Sequence, residues 1–100
     1  MFLPFASPTV RESKIEAYLR RRVIEAGGEC WKFTSPGLIG VPDRTVFMPG
    51  GKVYLCELKA EGEALKSAQE RRAARLTELG VSVYKIDSMD AVDYFMAVIS

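Results

Sequence analysis

Along the first quarter of the chain, Ile15, Leu19, Val23 and Ala26 recur at helical spacing with Tyr18 beside them, and Gly27-Gly28 follows as a stop. This predicts an amphipathic helix between Thr9 and Ala26. Its start can be set by Ser7-Pro8 or by a Thr9-x-x-Glu12 capping box, and Ser13-x-x-Glu16 repeats the box one turn later. The period then changes. Cys30-Trp31-Lys32-Phe33 reads as a short strand, and the glycines and prolines between Ser35 and Pro42 forbid regular structure. Thr45-Val46-Phe47-Met48 and the run from Val53 to Lys59 are β-rich and separated by Pro49-Gly50-Gly51-Lys52, a hairpin signal; the second run reads as a central strand. Leu65, Ala68, Arg72, Leu76 and Leu79 mark a second helix ending at Gly80. Val81 to Ile86 reads as a strand, and Ser88 caps a last helix to Ile99.

The order α-β-β-β-α-β-α, with a hairpin continuing through a helical crossover into a final strand, predicts an α/β fold in which a mixed β-sheet is flanked by helices. One domain over residues 1–100 suits the length, since the chain can bury one core but not two. The segment Met1-Phe2-Leu3-Pro4-Phe5-Ala6 is apolar, lacks a basic region and is too short for a signal sequence, so residues 1–8 read as a docking arm. No run approaches the ~20 apolar residues needed to span a bilayer. A soluble, cytoplasmic protein that engages no membrane is expected.

Composition narrows the chemistry. The chain has no histidine, which removes the usual general base, the Ser-His triad and imidazole-bound zinc. A metal here must rest on oxygen ligands, which suit hard cations such as Mg²⁺, Mn²⁺ or Ca²⁺. Cys30 and Cys56 sit in apolar stretches with no CxxC spacing and read as buried thiols. The net charge of +1 is too small for bulk attraction to nucleic acid, so any such role depends on local clusters. Two exist, Arg20-Arg21-Arg22 and the set Lys66, Arg71, Arg72 and Arg75, although either alone also fits a solvated helix face.

Strand alternation from Val53 to Lys59 places Glu57 and Lys59 on one face and Cys56 and Leu58 on the other. Asp43 stands at the entrance to the preceding strand. If the hairpin pairs the two strands, its carboxylate approaches Glu57, and two acids and a lysine converge. Such a group can hold a divalent cation through Asp43, Glu57 and the carbonyl of Leu58, with Lys59 left to orient water or offset charge on a phosphate. Glu16, near the core side of the first helix, is a candidate for a further metal- or water-positioning carboxylate, with helix capping as the alternative. For Glu12 the preference is reversed. Asp43 could be a simple turn residue after Pro42, and Glu57 with Lys59 a cross-strand ion pair; the apolar neighbours Val53, Leu55 and Leu58 argue instead for a covered strand and a site. Trp31 and Phe33 share a strand face and are expected to pack in the core or against a second copy rather than stack on bases.

The string Gly40-Val41-Pro42-Asp43, thirteen residues, then Glu57-Leu58-Lys59 resembles the PD-(D/E)xK nuclease signature. Its surroundings resemble the virus-type replication-repair nuclease (VRR-NUC) family: a helix bearing Glu16 before Gly27-Gly28, a strand with Lys32, the hairpin, a Leu65-x-x-x-Gln69 helix and a Gly-Val-x-Val strand. The likeness runs from about Glu12 to Ile86. It implies a restriction-endonuclease-like core, Asp43, Glu57, Lys59 and Glu16 as catalytic or metal-binding positions, and Gln69 near the site. It departs at Lys66, where the family more often opens the Gln-bearing helix with serine or threonine, so Ser67 is the expected cap. Stand-alone phage-type domains of this kind act as homodimers, which implies the same here and, for a phage-encoded chain, a place in the host cytoplasm. The resulting expectation is a Mg²⁺- or Mn²⁺-dependent DNA endonuclease acting on branched DNA such as four-way (Holliday) junctions, as in DNA repair, with Arg20, Arg21, Lys66 and Arg72 as DNA contacts. The alternative is a catalytically silent DNA-binding or dimerisation module on the same fold.

Overall fold

The computed structural model describes residues 11–100, which form α1 (Glu12–Glu25), β1 (Glu29–Lys32), β2 (Arg44–Met48), β3 (Lys52–Leu58), α2 (Ser67–Glu78), β4 (Val83–Ile86) and α3 (Met89–Ile99). This is the predicted order. The strands pair as one sheet, β1-β2-β3-β4, antiparallel across the first two ladders and parallel across the last. The arm at residues 1–8 and the start signals at Ser7, Pro8 and Thr9 lie outside the described residues.

One face of the sheet makes the core. The register aligns Cys30 with Val46, Val46 with Tyr54, Cys56 with Tyr84 and Leu58 with Ile86. Ile15, Leu19 and Val23 of α1 and Val92, Phe95, Met96 and Ile99 of α3 are buried in the same cluster. Each such side chain contributes about 1.5–3 kcal/mol when fully buried. The Phe95 ring meets Tyr54 and Tyr84 edge-on, with centroids 5.9 and 5.0 Å away. Outside the core, Tyr18 donates a 2.6 Å hydrogen bond to Asp93, which also pairs with Arg22, so α1 and α3 are joined by a polar clasp. Both cysteines are buried and free, as expected.

Helix ends follow the sequence in part. Gly27 takes φ +88°, its N–H donates to Ile24 O and that of Gly28 to Val23 O, the reverse turn that glycine permits at a helix C-terminus. Ala26 belongs to this exposed cap rather than to the buried stripe. At the other end the cap residue is Arg11, which makes no side-chain cap bond, and Ser13 lies inside the helix. The Ser13–Glu16 capping box is therefore not formed, and the Glu16 carboxylate is left to a tertiary partner. Ser88 caps α3 as predicted, its hydroxyl accepting from Ala91 N–H at 2.9 Å.

The second face carries Asp43, Thr45, Phe47, Val53, Leu55, Glu57 and Val83, with Trp31 on β1. Here α2 packs against β4 but buries none of its own residues. The expected stripe is thus only half-covered: Leu65 precedes the helix and Leu79, its C-cap, is 60% exposed. Ser67 is the first residue of α2 and Lys66 its cap. Trp31 is likewise no core residue of this chain. It is 57% exposed, meets Phe47 in a tilted ring contact with centroids 4.8 Å apart and donates its indole N–H to Glu29 at 2.8 Å, while Phe33 lies just past the end of β1.

Candidate active site

The β2–β3 register pairs Arg44 with Cys56, so one residue further Asp43 faces Glu57. Buried Pro42 leads the chain into this position. Asp43 is pinned twice: its carbonyl accepts from Phe33 N–H at 2.8 Å, and its Oδ2 accepts from Leu58 N–H at 2.9 Å. Lys59 N–H donates to Ile86 O at 3.0 Å, which prolongs the parallel ladder and keeps Lys59 on the same face as Glu57. Glu57 is 3% and Lys59 6% exposed, which is exceptional for charged residues and unlike any other charged side chain among the described residues.

Gln69, one turn into α2, completes the first layer. Its Nε2 donates to Glu57 Oε2 at 2.6 Å, and its Oε1 accepts from Lys66 N–H at 2.8 Å. That second bond makes Lys66, not the expected Ser67, the cap residue of α2, and it fixes which way the amide points. Burial pushes the Glu57 carboxyl up to about 8; the charge of Asp43 and a hydrogen bond to it push the same way, Lys59 opposes them, and Glu12 adds to the rise. A buried acid thus faces a half-buried one, with one buried lysine nearby as partial compensation. Like-charged pairs of this kind concentrate where a cation or a proton is handled.

Glu16 is not part of this cluster. Its Oε2 accepts from Arg44 Nε at 2.7 Å, and Arg44 also reaches Cys30 O at 3.3 Å on the core side of the sheet. Burial works against the Arg44 charge, but the hydrogen bond and charge of Glu16 outweigh it and raise its pKa. The acid that belongs near Asp43 is instead Glu12, the first residue of α1. Partial burial raises its pKa first and the charge of Asp43 next, with Lys59 opposing. No local sequence signal separates the two acids; the tertiary contact of Glu16 with Arg44 does. Neighbouring strand residues face opposite ways, so an acid on α1 that meets Arg44 leaves the one a turn earlier for Asp43.

The basic residues divide as well. Arg72 Nε donates to Ile39 O at 3.2 Å and so braces the loop before Asp43; Arg75 pairs with Glu78, and Arg21 with Glu25. Arg20 and Lys66 are exposed. Arg20 lies eight residues beyond Glu12, about 12 Å along the helix axis, whereas Lys66 is bonded directly to Gln69.

Among the described residues no three Asp, Glu, His or Cys side chains converge as a metal cage. Two carboxylates and the Leu58 carbonyl, all oxygen donors, still fit a hard ion that retains several waters. The Asp43–Glu57 pair, whose repulsion Lys59 offsets only in part, is what such an ion would relieve. No helix among the described residues is long and apolar enough to cross a membrane.

The comparisons with known proteins bear on the fold and the family. The chain is 45% identical over 89 residues to "Putative nuclease p44" of Acyrthosiphon pisum secondary endosymbiont phage 1, a match covering 89% of this chain and 96% of the phage protein. It is similar to a solved structure described as "VRR_NUC domain", with a TM-score of 0.84 and 26% identity over 88% of this chain and 96% of the other. No family model matches the chain.

Proposed function

The chain belongs to the VRR-NUC family, and from that premise we propose that it is a metal-dependent DNA endonuclease acting on branched DNA, four-way junctions included. The observation that carries the reading is buried Glu57 facing half-buried Asp43, with buried Lys59 on the same face. Asp43, Glu57 and the Leu58 carbonyl would hold Mg²⁺ or Mn²⁺, with Glu12 at the rim. The ion would supply Lewis-acid stabilisation of charge growing on the scissile phosphate. Lys59 presents its ammonium beside the pair, where it orients the attacking water and offsets the same charge. Gln69 holds the Glu57 carboxylate in one orientation, and Asp43 is held by Leu58 N–H, so neither acid has to be ordered when substrate arrives.

The Glu57 proton sets the working range. A carboxyl pushed up to about 8 is largely protonated at neutral pH, so ion binding must displace that proton, and cleavage rises with pH through this range. Lys66 and Arg20 are exposed enough to contact the DNA backbone, while Arg72 acts through the loop it braces. A twofold homodimer is part of the same reading. Exposed Trp31 and Val53, beside Phe47, form an apolar patch on the half of the second face that α2 leaves open, and paired copies suit paired cuts.

The test is incubation of the protein with Mg²⁺ or Mn²⁺ and linear, flapped and four-way-junction DNA, alongside Asp43→Asn. Cleavage that needs the ion, is fastest on branched DNA and is lost in Asp43→Asn is the expected result. Absence of ion-dependent cleavage on every substrate would refute it, and junction binding without cutting would point to a silent binding module. Sedimentation of the native chain and Trp31→Glu tests the dimer, which the variant should dissociate.

A further inference from the structure

The loop between β1 and β2 ends in an apolar tip. Leu38 is 42% and Ile39 71% exposed, the latter equalled among the large apolar residues described only by Tyr94. An exposed aliphatic pair in a loop usually folds back or moves, but this one is braced. Leu38 N–H donates to Ser35 O at 3.1 Å, and Arg72 donates to Ile39 O at 3.2 Å. Gly40, at φ +82°, lies so close to α2 that an added Cβ would stand 2.4 Å from Ala68 O. Ala68 is the neighbour of Gln69, which holds Glu57, and Gly40 is three residues ahead of Asp43. The tip is therefore tied to both acids through a short path of backbone contacts.

We propose that Leu38 and Ile39 form a wedge that inserts against the base stack at a branch or nick and so selects DNA whose stack is interrupted. This rests on the nuclease reading and adds how its substrate is chosen. The partner follows from position. Arg72 of α2 is bonded to Ile39 O, and Gly40 abuts Ala68, the residue before the Gln69 that holds Glu57, so DNA whose phosphate meets the acid pair would bring its groove against the neighbouring tip. Aliphatic groups gain nothing from phosphates. What they can favourably cover in DNA is the face of a base, and a continuous duplex offers none without unstacking. A branch point, where stacking is already broken, removes most of that cost. Because the brace fixes the tip beforehand, little ordering is lost on insertion.

The experiment uses the full chain with Ca²⁺ in place of Mg²⁺, so that binding is read without cutting. The DNA is a four-way junction carrying 2-aminopurine at the branch, whose fluorescence rises when the base unstacks, together with a linear duplex of the same length. The native chain should raise the junction signal at least threefold. A Leu38→Ser/Ile39→Ser variant, which alters only exposed side chains, should leave that signal near its free value and weaken junction binding about tenfold, while linear-duplex affinity stays within twofold. Unstacking by the variant as strong as by the native chain would overturn the proposal. Equal weakening on both DNAs would overturn it too, by making the tip a general contact, and so would a change in sedimentation, by making it a contact between copies. Failure of the nuclease reading is visible separately: a native chain that unstacks the junction but never cuts it with Mg²⁺ or Mn²⁺ leaves the wedge in place.

Discussion

Two acids on opposite sides of the same sheet show how one strand alternation yields both a structure and a site. On the core side, Glu16 meets Arg44 at 2.7 Å, and the pair is largely buried with its charges matched. On the other side, Glu57 meets Asp43, an acid against an acid, and its carboxyl is held up to about 8. The first arrangement is satisfied as it stands and has no need of a ligand. The second is satisfied only by a proton or a cation. Both rest on consecutive residues, Asp43 and Arg44, that face opposite ways because they enter a strand. Hence distance along the sequence says little about which acid is reactive, and the partner across the sheet says a great deal.

The sharpest way to break this contrast is to remove Lys59, the buried cation beside the reactive acids. Lys59→Ala should lower single-turnover cleavage about 10²–10⁴-fold while leaving the circular dichroism spectrum unchanged; a loss below tenfold would mean that Lys59 is only a structural counter-charge. On the covered side the largest effect should come from Phe95→Ala, which removes the ring packed on Tyr54 and Tyr84 and is expected to cost about 3–5 kcal/mol in urea denaturation.

A finer division separates the two acids of α1. Glu12→Gln should slow cleavage about 10–100-fold with little change in stability, as loss of an outer partner of a metal site does. Glu16→Gln should cost about 1–2 kcal/mol of stability, less than a fully buried pair because its side chains are 24% and 12% exposed. Exchanged outcomes for these two variants would reverse the assignment of the sites.

The reactive acid also makes stability depend on pH. With the ion chelated, the folded Glu57 holds its proton to about 8 against an ordinary 4.5, so the native state binds more protons than the unfolded chain between those values. Stability from this group is present at low pH and lost as pH rises through about 8. A shift of this size is worth about 4 kcal/mol over the range, so the melting temperature in EDTA should fall by about 10 °C or more from pH 5 to 8.5, and Glu57→Gln should flatten the slope.

Much of this contrast is legible in the sequence. The period-two run from Val53 to Lys59 and the hairpin turn after Met48 place Glu57 and Lys59 on one face and bring Asp43 to them, because strand geometry and turn chemistry are local. The apolar stripe Ile15, Leu19 and Val23 is equally plain. What the pattern leaves open is the choice between Glu12 and Glu16. Both suit a helix start by composition, and the deciding contact, Arg44, lies 28 positions from Glu16. Arg72 reads as a surface cation until Ile39 O is brought to it by the loop, 33 positions away. For Trp31 the pattern leaves core packing and packing against a second copy open, because apolar alternation does not say whether a helix covers the second face; α2 covers only the β4 end, which removes the first.

The central claim is that chemistry resides in the unmatched acid pair and not in the matched one. Its most direct test is the rate of Mg²⁺- or Mn²⁺-dependent cleavage of one junction DNA by Glu57→Gln and Glu16→Gln, measured side by side well below the melting temperature of either. Glu57→Gln should lose at least a hundredfold while Glu16→Gln stays within about threefold of the native chain. An active Glu57→Gln, or a Glu16→Gln that is fully folded yet inactive, would contradict it.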